Sequence, residues 1–297
     1  MRKNYGPVYA LPSALWISAF FVVPISIIFM YSFLEKGLYG GVVWKFSLEA
    51  YRALSNCAFL KVSLMTVVLS VLATLITLAL ALPAAYFIAR SRYKNTLLFL
   101  VIIPFWTNFL IRIYAWIAIL GNSGFLNNFL LRLGITHGYT QFLYNPFAVI
   151  IVLVYTYLPF ALLPLYSTIE KFDFSLLEAA RDLGATNSQA IFRVLLPNIK
   201  TGIFTAVLFT FIPAFGQYAV PQLVGGRNSF MLGTIIAREL TVTRNWPLSS
   251  SISVALTVLT TAGVLVFLRI NNNLGGKTKA EHAASTRLHL QIKQHDA

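Results

Sequence analysis

Seven stretches of more than 15 residues run without a charged side chain, at residues 4–34, 62–89, 95–111, 113–131, 133–169, 201–226 and 245–268. A bilayer core about 30 Å thick takes roughly 20 helical residues to cross. Once polar, Gly-rich and Asn-rich ends are trimmed, these stretches predict six spans, over 11–34, 62–89, 97–120, 146–169, 201–222 and 249–269. Arg112 interrupts the third. The expected fold class is therefore an all-α membrane protein. Composition agrees, because 58% of the residues are hydrophobic and 11% charged, whereas ordinary soluble domains hold about 45–50% apolar and about 25% charged residues. The apolar part of the first stretch is longer than the roughly 7–15 residues of a signal-peptide core, so it reads as a retained helix. Pro24, Pro83, Pro104, Pro159, Pro164 and Pro213 fall within spans and predict kinks, since each removes a backbone donor.

The net charge of +14 comes from 23 basic and 9 acidic residues. These charges punctuate the apolar blocks and gather on no face, so the expected environment is a lipid bilayer and nucleic acid is not an expected partner. With both termini inside, the inner segments hold 14 Lys and Arg over 74 residues and the outer segments 8 over 78. That asymmetry predicts two cytoplasmic termini. The polar, mixed-charge tail 271–297 is expected to be disordered and cytoplasmic, leaving 1–270 as the transmembrane domain.

Enzymatic chemistry finds no residues to work with. Cys57 is the single cysteine, which excludes an intrachain disulfide and any metal site built on several cysteines. His137, His282, His289 and His295 lack metal-ligand spacing, so no metal is expected. Gly276-Lys277-Thr278 looks like the end of a phosphate-binding loop, but Asn271 stands where the loop needs its first glycine. No Ser, His and Asp motif of a catalytic triad is present.

The predicted inner connection between the fourth and fifth spans carries the strongest local signal. Ser175 and Glu178 have the spacing of a capping box, which predicts a helix beginning near Leu176. Leu176, Ala179, Ala180 and Leu183 then share one small apolar face. Gly184 suits the left-handed residue that ends a helix. Thr186 and Gln189 form a second capping box, opening a short helix that runs toward Pro197.

Glu178-Ala179-Ala180, followed at fixed spacing by Gly184, Val194 and Leu196-Pro197, resembles the EAA motif of ABC importer permeases, with valine in place of isoleucine. The resemblance implies a type I permease fold of six transmembrane helices in a bacterial inner membrane. It implies that segment 175–197 couples to a dimeric cytoplasmic ATPase through Glu178, Ala179, Ala180, Gly184, Leu196 and Pro197. It further implies a second permease subunit, an extracytoplasmic solute-binding protein, and no cofactor on this chain, with ATP and Mg used by the ATPase. Segments 103–116, 121–128, 153–171, 213–226 and 245–247 are similar to the spermidine/putrescine permease subunits, the PotB type. The implied solute is a polyamine and the implied second permease a paralogue. Relatives of that type often carry an acidic residue in the segments matching 216–218 and 221–223, where this chain has Gln217 and Gln222. Another solute, such as an amino acid, inorganic anion or iron, stays open. A secondary transporter would carry intramembrane carboxylates or repeated halves, and neither is present.

Asn108, Arg112 and Trp116 recur every fourth residue and form one polar stripe on the third span. The stripe suits a solute path, a subunit interface, or an Arg112 that snorkels to the outer surface. Tyr155, Pro159, Leu162 and Tyr166 share a face of the fourth span, fit for helix packing or for solute contact. The predicted spans contain no Asp or Glu. A crossing cation would then trade its water for aromatic faces, each worth about 0.5–2 kcal/mol, and for neutral acceptors. Trp106, Asn108, Trp116, Tyr155, Gln217, Tyr218 and Gln222 are the candidate path residues. Glu239, in the outer connection, is the nearest acid and suited to attracting the cation.

Overall fold

The computed structural model describes residues 6–266 together with 268 and 269. The predicted disordered tail, 271–297, lies outside the described residues. The first apolar stretch is helical as α1 (Gly6–Ile17), a π-turn at Ser18–Val22 and α2 (Val23–Tyr31). Every residue from Leu11 to Met30 is exposed, so this predominantly apolar stretch takes no part in the core of the chain.

A short antiparallel hairpin follows, β1 (Leu34–Lys36) and β2 (Val42–Phe46), closed on one face by Lys45 and Glu35 at 3.0 Å. α3 (Glu49–Leu54) leads into α4 (Cys57–Arg90), whose first turn is capped by Asn56 Oδ1 accepting from the Ala58 amide. α5 (Lys94–Ile102) tightens into a 3₁₀ turn at Ile103–Trp106 and stops. α6 (Phe109–Leu120) restarts on the Asn108 cap, and α7 (Phe125–Arg132) follows a turn. α8 (Pro146–Ile169) begins at Asn145, which caps the Ala148 amide at 2.9 Å, with Pro146 in the first turn where its missing N–H costs nothing. α9 (Ser175–Asp182), α10 (Asn187–Ala190), a π-turn at Ile191–Leu195 and α11 (Leu196–Asn198) make the motif connection. α12 (Lys200–Phe215), α13 (Ala219–Val224), α14 (Leu232–Thr241) and α15 (Trp246–Val266) complete the described chain.

The core is the mutual packing of α4, α8 and α12. Without a hydrophobic drive between helices in lipid, small residues let such helices approach. α4 supplies buried Thr66, Ser70, Ala73, Thr77, Ala81 and Ala85 along its length. Gly202 of α12 lies so close to α8 that an added Cβ would meet Thr168 Cβ at 2.7 Å. Two apolar clusters result. One holds Leu69, Ile113, Val152, Leu153, Val220 and Met231. The other, toward the motif, holds Ile88, Leu162, Leu165, Ile169, Leu195 and Ile199. From Val254 the chain forms a second unit, in which Thr260 Oγ1 donates to the Leu256 carbonyl at 2.7 Å.

Two spans differ from the sequence expectation. The third, expected as one helix over 97–120, is interrupted at Thr107–Asn108, where the chain is extended. Pro104 explains the stop, because it removes a donor just as the turn tightens. The fifth, expected over 201–222, ends at Phe215 behind Pro213, and residues 219–224 form a separate short helix.

Candidate functional site

The motif connection is a helix, a left-handed glycine and a second helix, bent by 73° from α12. Thr186 and Gln189 make both bonds of a capping box, the Gln189 amide donating to Thr186 Oγ1 and the Thr186 amide to Gln189 Oε1. Gly184 adopts φ +86°, and its amide donates to the Arg181 carbonyl at 2.8 Å. The first capping box does not form. Asp173 Oδ1 instead accepts from the Ser175 amide at 3.0 Å, two residues before the expected cap. Ser175, through its side chain and then its backbone, holds the Asp173 carboxyl below its ordinary value.

The faces of α9 also divide differently from expectation. Leu177, absent from the predicted apolar face, is the buried residue and joins the cluster of Ile88 and Ile169. Leu176, Glu178, Ala179 and Leu183 are exposed, Leu183 by 89%, while Ala180 is half-buried. Leu195 is fully buried and Leu196 packs on the same cluster, with Pro197 exposed after it. The connection thus presents a small apolar surface outward while its other side is built into the ends of α4 and α8. Polar contacts tighten that joint. Lys94 Nζ donates to Glu170 Oε1 at 2.6 Å, and Arg90 lies 5.5 Å from the Phe174 ring centroid while donating to the Tyr86 hydroxyl at 2.9 Å.

Farther along the bundle lie the two helix breaks, on neighbouring elements. Thr107–Asn108 and Gly216–Tyr218 each lie roughly 20–24 Å along their helices from the motif end, and α13 touches α6. A chain of contacts across α8 joins them. Arg112 stacks over Phe105 at 4.4 Å, Phe105 meets Phe160 edge-on at 6.1 Å, and Phe160 meets Tyr157 at 6.1 Å. The Tyr157 hydroxyl accepts from Gln217 Nε2 and donates to the Pro213 carbonyl, both at 3.1 Å. Gln217 Oε1 in turn accepts from the Tyr218 and Ala219 amides, so this side chain restarts the broken helix.

Of the residues read from sequence as path candidates, Trp116 and Tyr155 stand together, ring centroids 5.4 Å apart and both part-buried. Asn108 is exposed and caps α6, accepting from the Leu110 amide at 2.8 Å. Trp106 is exposed and contacts Phe99. Tyr218 and Gln222 are exposed beside the second break. Glu239 sits on α14, where Thr243 Oγ1 donates to its carboxylate at 2.5 Å, and none of the contacts among the described residues links it to the others. Tyr157, Phe105 and Phe160 were not singled out by sequence. A buried tyrosine needs a partner for its hydroxyl, which was the one available signal, but its partner is 60 residues away.

A mostly helical chain with several helices long and apolar enough to cross a membrane, two of its spans broken, and an exposed helical connection fits a membrane permease. The chain belongs to the family of binding-protein-dependent transport system inner membrane components, which it matches over residues 77–279. It is 40% identical over 90% of its length to the spermidine/putrescine transport system permease protein PotB of Haemophilus influenzae, covering 94% of that protein. To PotB of Escherichia coli K12 it is 39% identical over 90% of its length, covering 98% of the relative. The fold matches a solved bacterial ABC transporter involved in the import of the acidic polysaccharide alginate, with a TM-score of 0.74 at 18% identity, over 91% of this chain and 96% of that one. It is thus the permease subunit of an ABC importer.

Proposed function

We propose that the solute is a polyamine of the spermidine or putrescine kind, received from a solute-binding protein and released to the cytoplasm. The observation that carries this reading is the 40% identity to a spermidine/putrescine permease across nine-tenths of the chain. In this reading a dimeric ATPase binds the ATP and Mg, a second permease completes the core, and this chain binds no cofactor and catalyses no reaction. The ATPase docks on the exposed Leu176, Ala179 and Leu183 face, with Glu178, Ala180, Gly184, Leu196 and Pro197 shaping the unit. Because Leu177 and Leu195 are buried with Ile88 and Ile169, a push on that face reaches the ends of α4 and α8 without an intervening flexible joint.

The path residues suit a polycation that must pass and not stay. Each ammonium group is costly to strip of water. Trp116 and Tyr155 offer ring faces, and Tyr218, Gln222 and Asn108 offer exposed polar atoms beside the breaks. Such contacts are individually weak, which favours release. Glu239 acts at longer range, as the acid nearest the outer mouth. Uptake of labelled spermidine by cells carrying the whole transporter tests the reading. Unlabelled spermidine and putrescine should compete, sulfate and amino acids should not, and Gln222→Glu should lower the concentration for half-maximal uptake. Competition by an anion but not by a polyamine would overturn it.

A further inference from the structure

Among the described charged side chains, Arg112 is the one with buried donor atoms that no acceptor matches. Its Nε and Nη1 are enclosed by the chain and find no acceptor among the described residues. A guanidinium stays charged and carries five donors, so stacking on Phe105 leaves those donors unmet. The side chain as a whole is only part-buried, so Nη2 is the atom through which an outside acceptor reaches the group.

Lipid does not supply that acceptor. Helical side chains lean toward the N-terminus of their helix, and Arg112 does so here. Its Cζ lies 4.4 Å from the ring of Phe105, seven residues back and beyond the break. The group therefore reaches toward the middle of the bundle and away from the Leu120 end, roughly 12 Å farther on, where lipid phosphates would be. The neighbouring backbone makes the same demand. Trp106, Thr107 and Asn108 are exposed where the helix is interrupted, and irregular backbone at this depth is tolerated only against protein or a water-filled cavity. A fully protonated polyamine has donors and no acceptor.

We propose that a carboxylate on a membrane-spanning helix of the second permease subunit pairs with Arg112, placing the 106–112 segment on the seam between the two permeases. The spans of this chain contain no Asp or Glu, so a second copy of it has none to offer. The partner is accordingly a different chain. The inference rests on the polyamine reading in one respect, since an anionic solute would itself bring an acceptor.

The test uses the complete transporter extracted in mild detergent, with the second permease measured as it co-purifies and the membrane level of this chain as the control for folding. Arg112→Lys should retain the partner within about twofold, and Arg112→Gln should lower co-purification at least about tenfold, as expected when a buried carboxylate loses its counter-charge. Changing the matching acid of the second permease to its amide in the Arg112→Gln background should restore assembly, and Arg112→Glu should be restored by arginine at that same position. Unchanged co-purification in Arg112→Gln, no restoration at any acidic position in the partner's spans, or a partner with no acid there would each overturn the pairing. Spermidine and sulfate uptake by the wild-type transporter is measured in parallel. Uptake of sulfate alone would remove the polyamine reading, and the assembly data would still decide on the pair.

Discussion

Gly184 shows how one backbone angle can organise a helix–turn–helix connection. Its φ of +86° lies in the left-handed region, yet an added Cβ would meet nothing within 4 Å. Conformation, not crowding, therefore requires glycine here. Gly184→Val should cost about 1–2 kcal/mol in the turn and lower uptake while leaving membrane insertion unchanged. Gly184→Asn, which tolerates this region, should be much milder. Insertion by carbonate extraction and uptake in vesicles separate the two effects, and equal uptake by both variants would remove the turn from the mechanism. Gly184, Thr186 and Gln189 were legible because the rules that place them are local. Ser175 misled for the same reason, since its spacing to Glu178 fits a cap that Asp173 in fact provides through a bond to the Ser175 amide. Gln217 was legible as a polar residue in an apolar span. That its amide would be engaged by Tyr157 and by two backbone donors depends on how α8 and α12 pack, which no local pattern encodes.

At the scale of elements, α8 was readable to its ends, because an Asn-Pro start and a charged stop frame 24 uninterrupted residues. α5 and α6 were not. Their apolar run is continuous except for Arg112, so the interruption at Thr107–Asn108 shows only as Pro104 and as two polar residues able to cap. The hairpin of β1 and β2 was missed because strands of 3 and 5 residues leave too little alternation to detect. The joint between α5, α8 and α9 yields a prediction about pH. Lys94 holds the Glu170 carboxyl below its ordinary 4.5, and Glu170 holds the Lys94 ammonium above its ordinary 10.5. A lowered carboxyl contributes stability above its unfolded value and loses it as pH falls through the folded one. A raised ammonium contributes below its unfolded value and loses it as pH rises through the folded one. The pair is thus intact between about pH 5 and 10. Both groups are solvent-facing, so salt should weaken the pair. Glu170→Lys should lower uptake more than it lowers ATP hydrolysis, by a ratio constant across that window, and Lys94→Glu in the same chain should recover part of the loss. A ratio that changes steeply between pH 6 and 9 would point to some other titrating group.

Across the whole molecule, the number of crossings decides which face of the membrane each site meets. Five helices are long and apolar enough to cross, or six when the bent pair Asn187–Asn198 and Lys200–Phe215 is taken as one span. Six crossings return the chain to the side on which it began, which puts the motif connection between the fourth and fifth on that side too. The basic-residue asymmetry, 14 against 8, predicts that this side is the cytoplasm. The proposed function makes the same demand, since ATP is cytoplasmic and an EAA-type connection on the outer face would have no ATPase to meet. Five crossings would separate the motif from one of the termini. A fluorescent protein fused after Arg269 should therefore fold and emit, and alkaline phosphatase fused there should be inactive. Phosphatase inserted within 133–141, between α7 and α8, should be active. An active phosphatase after Arg269 would mean that one of these helices lies along the membrane instead of crossing it. The first to re-examine would be the bent pair, because α12 has only 16 residues, too few to span by itself, and crosses only if Asn187–Asn198 continues it past the bend.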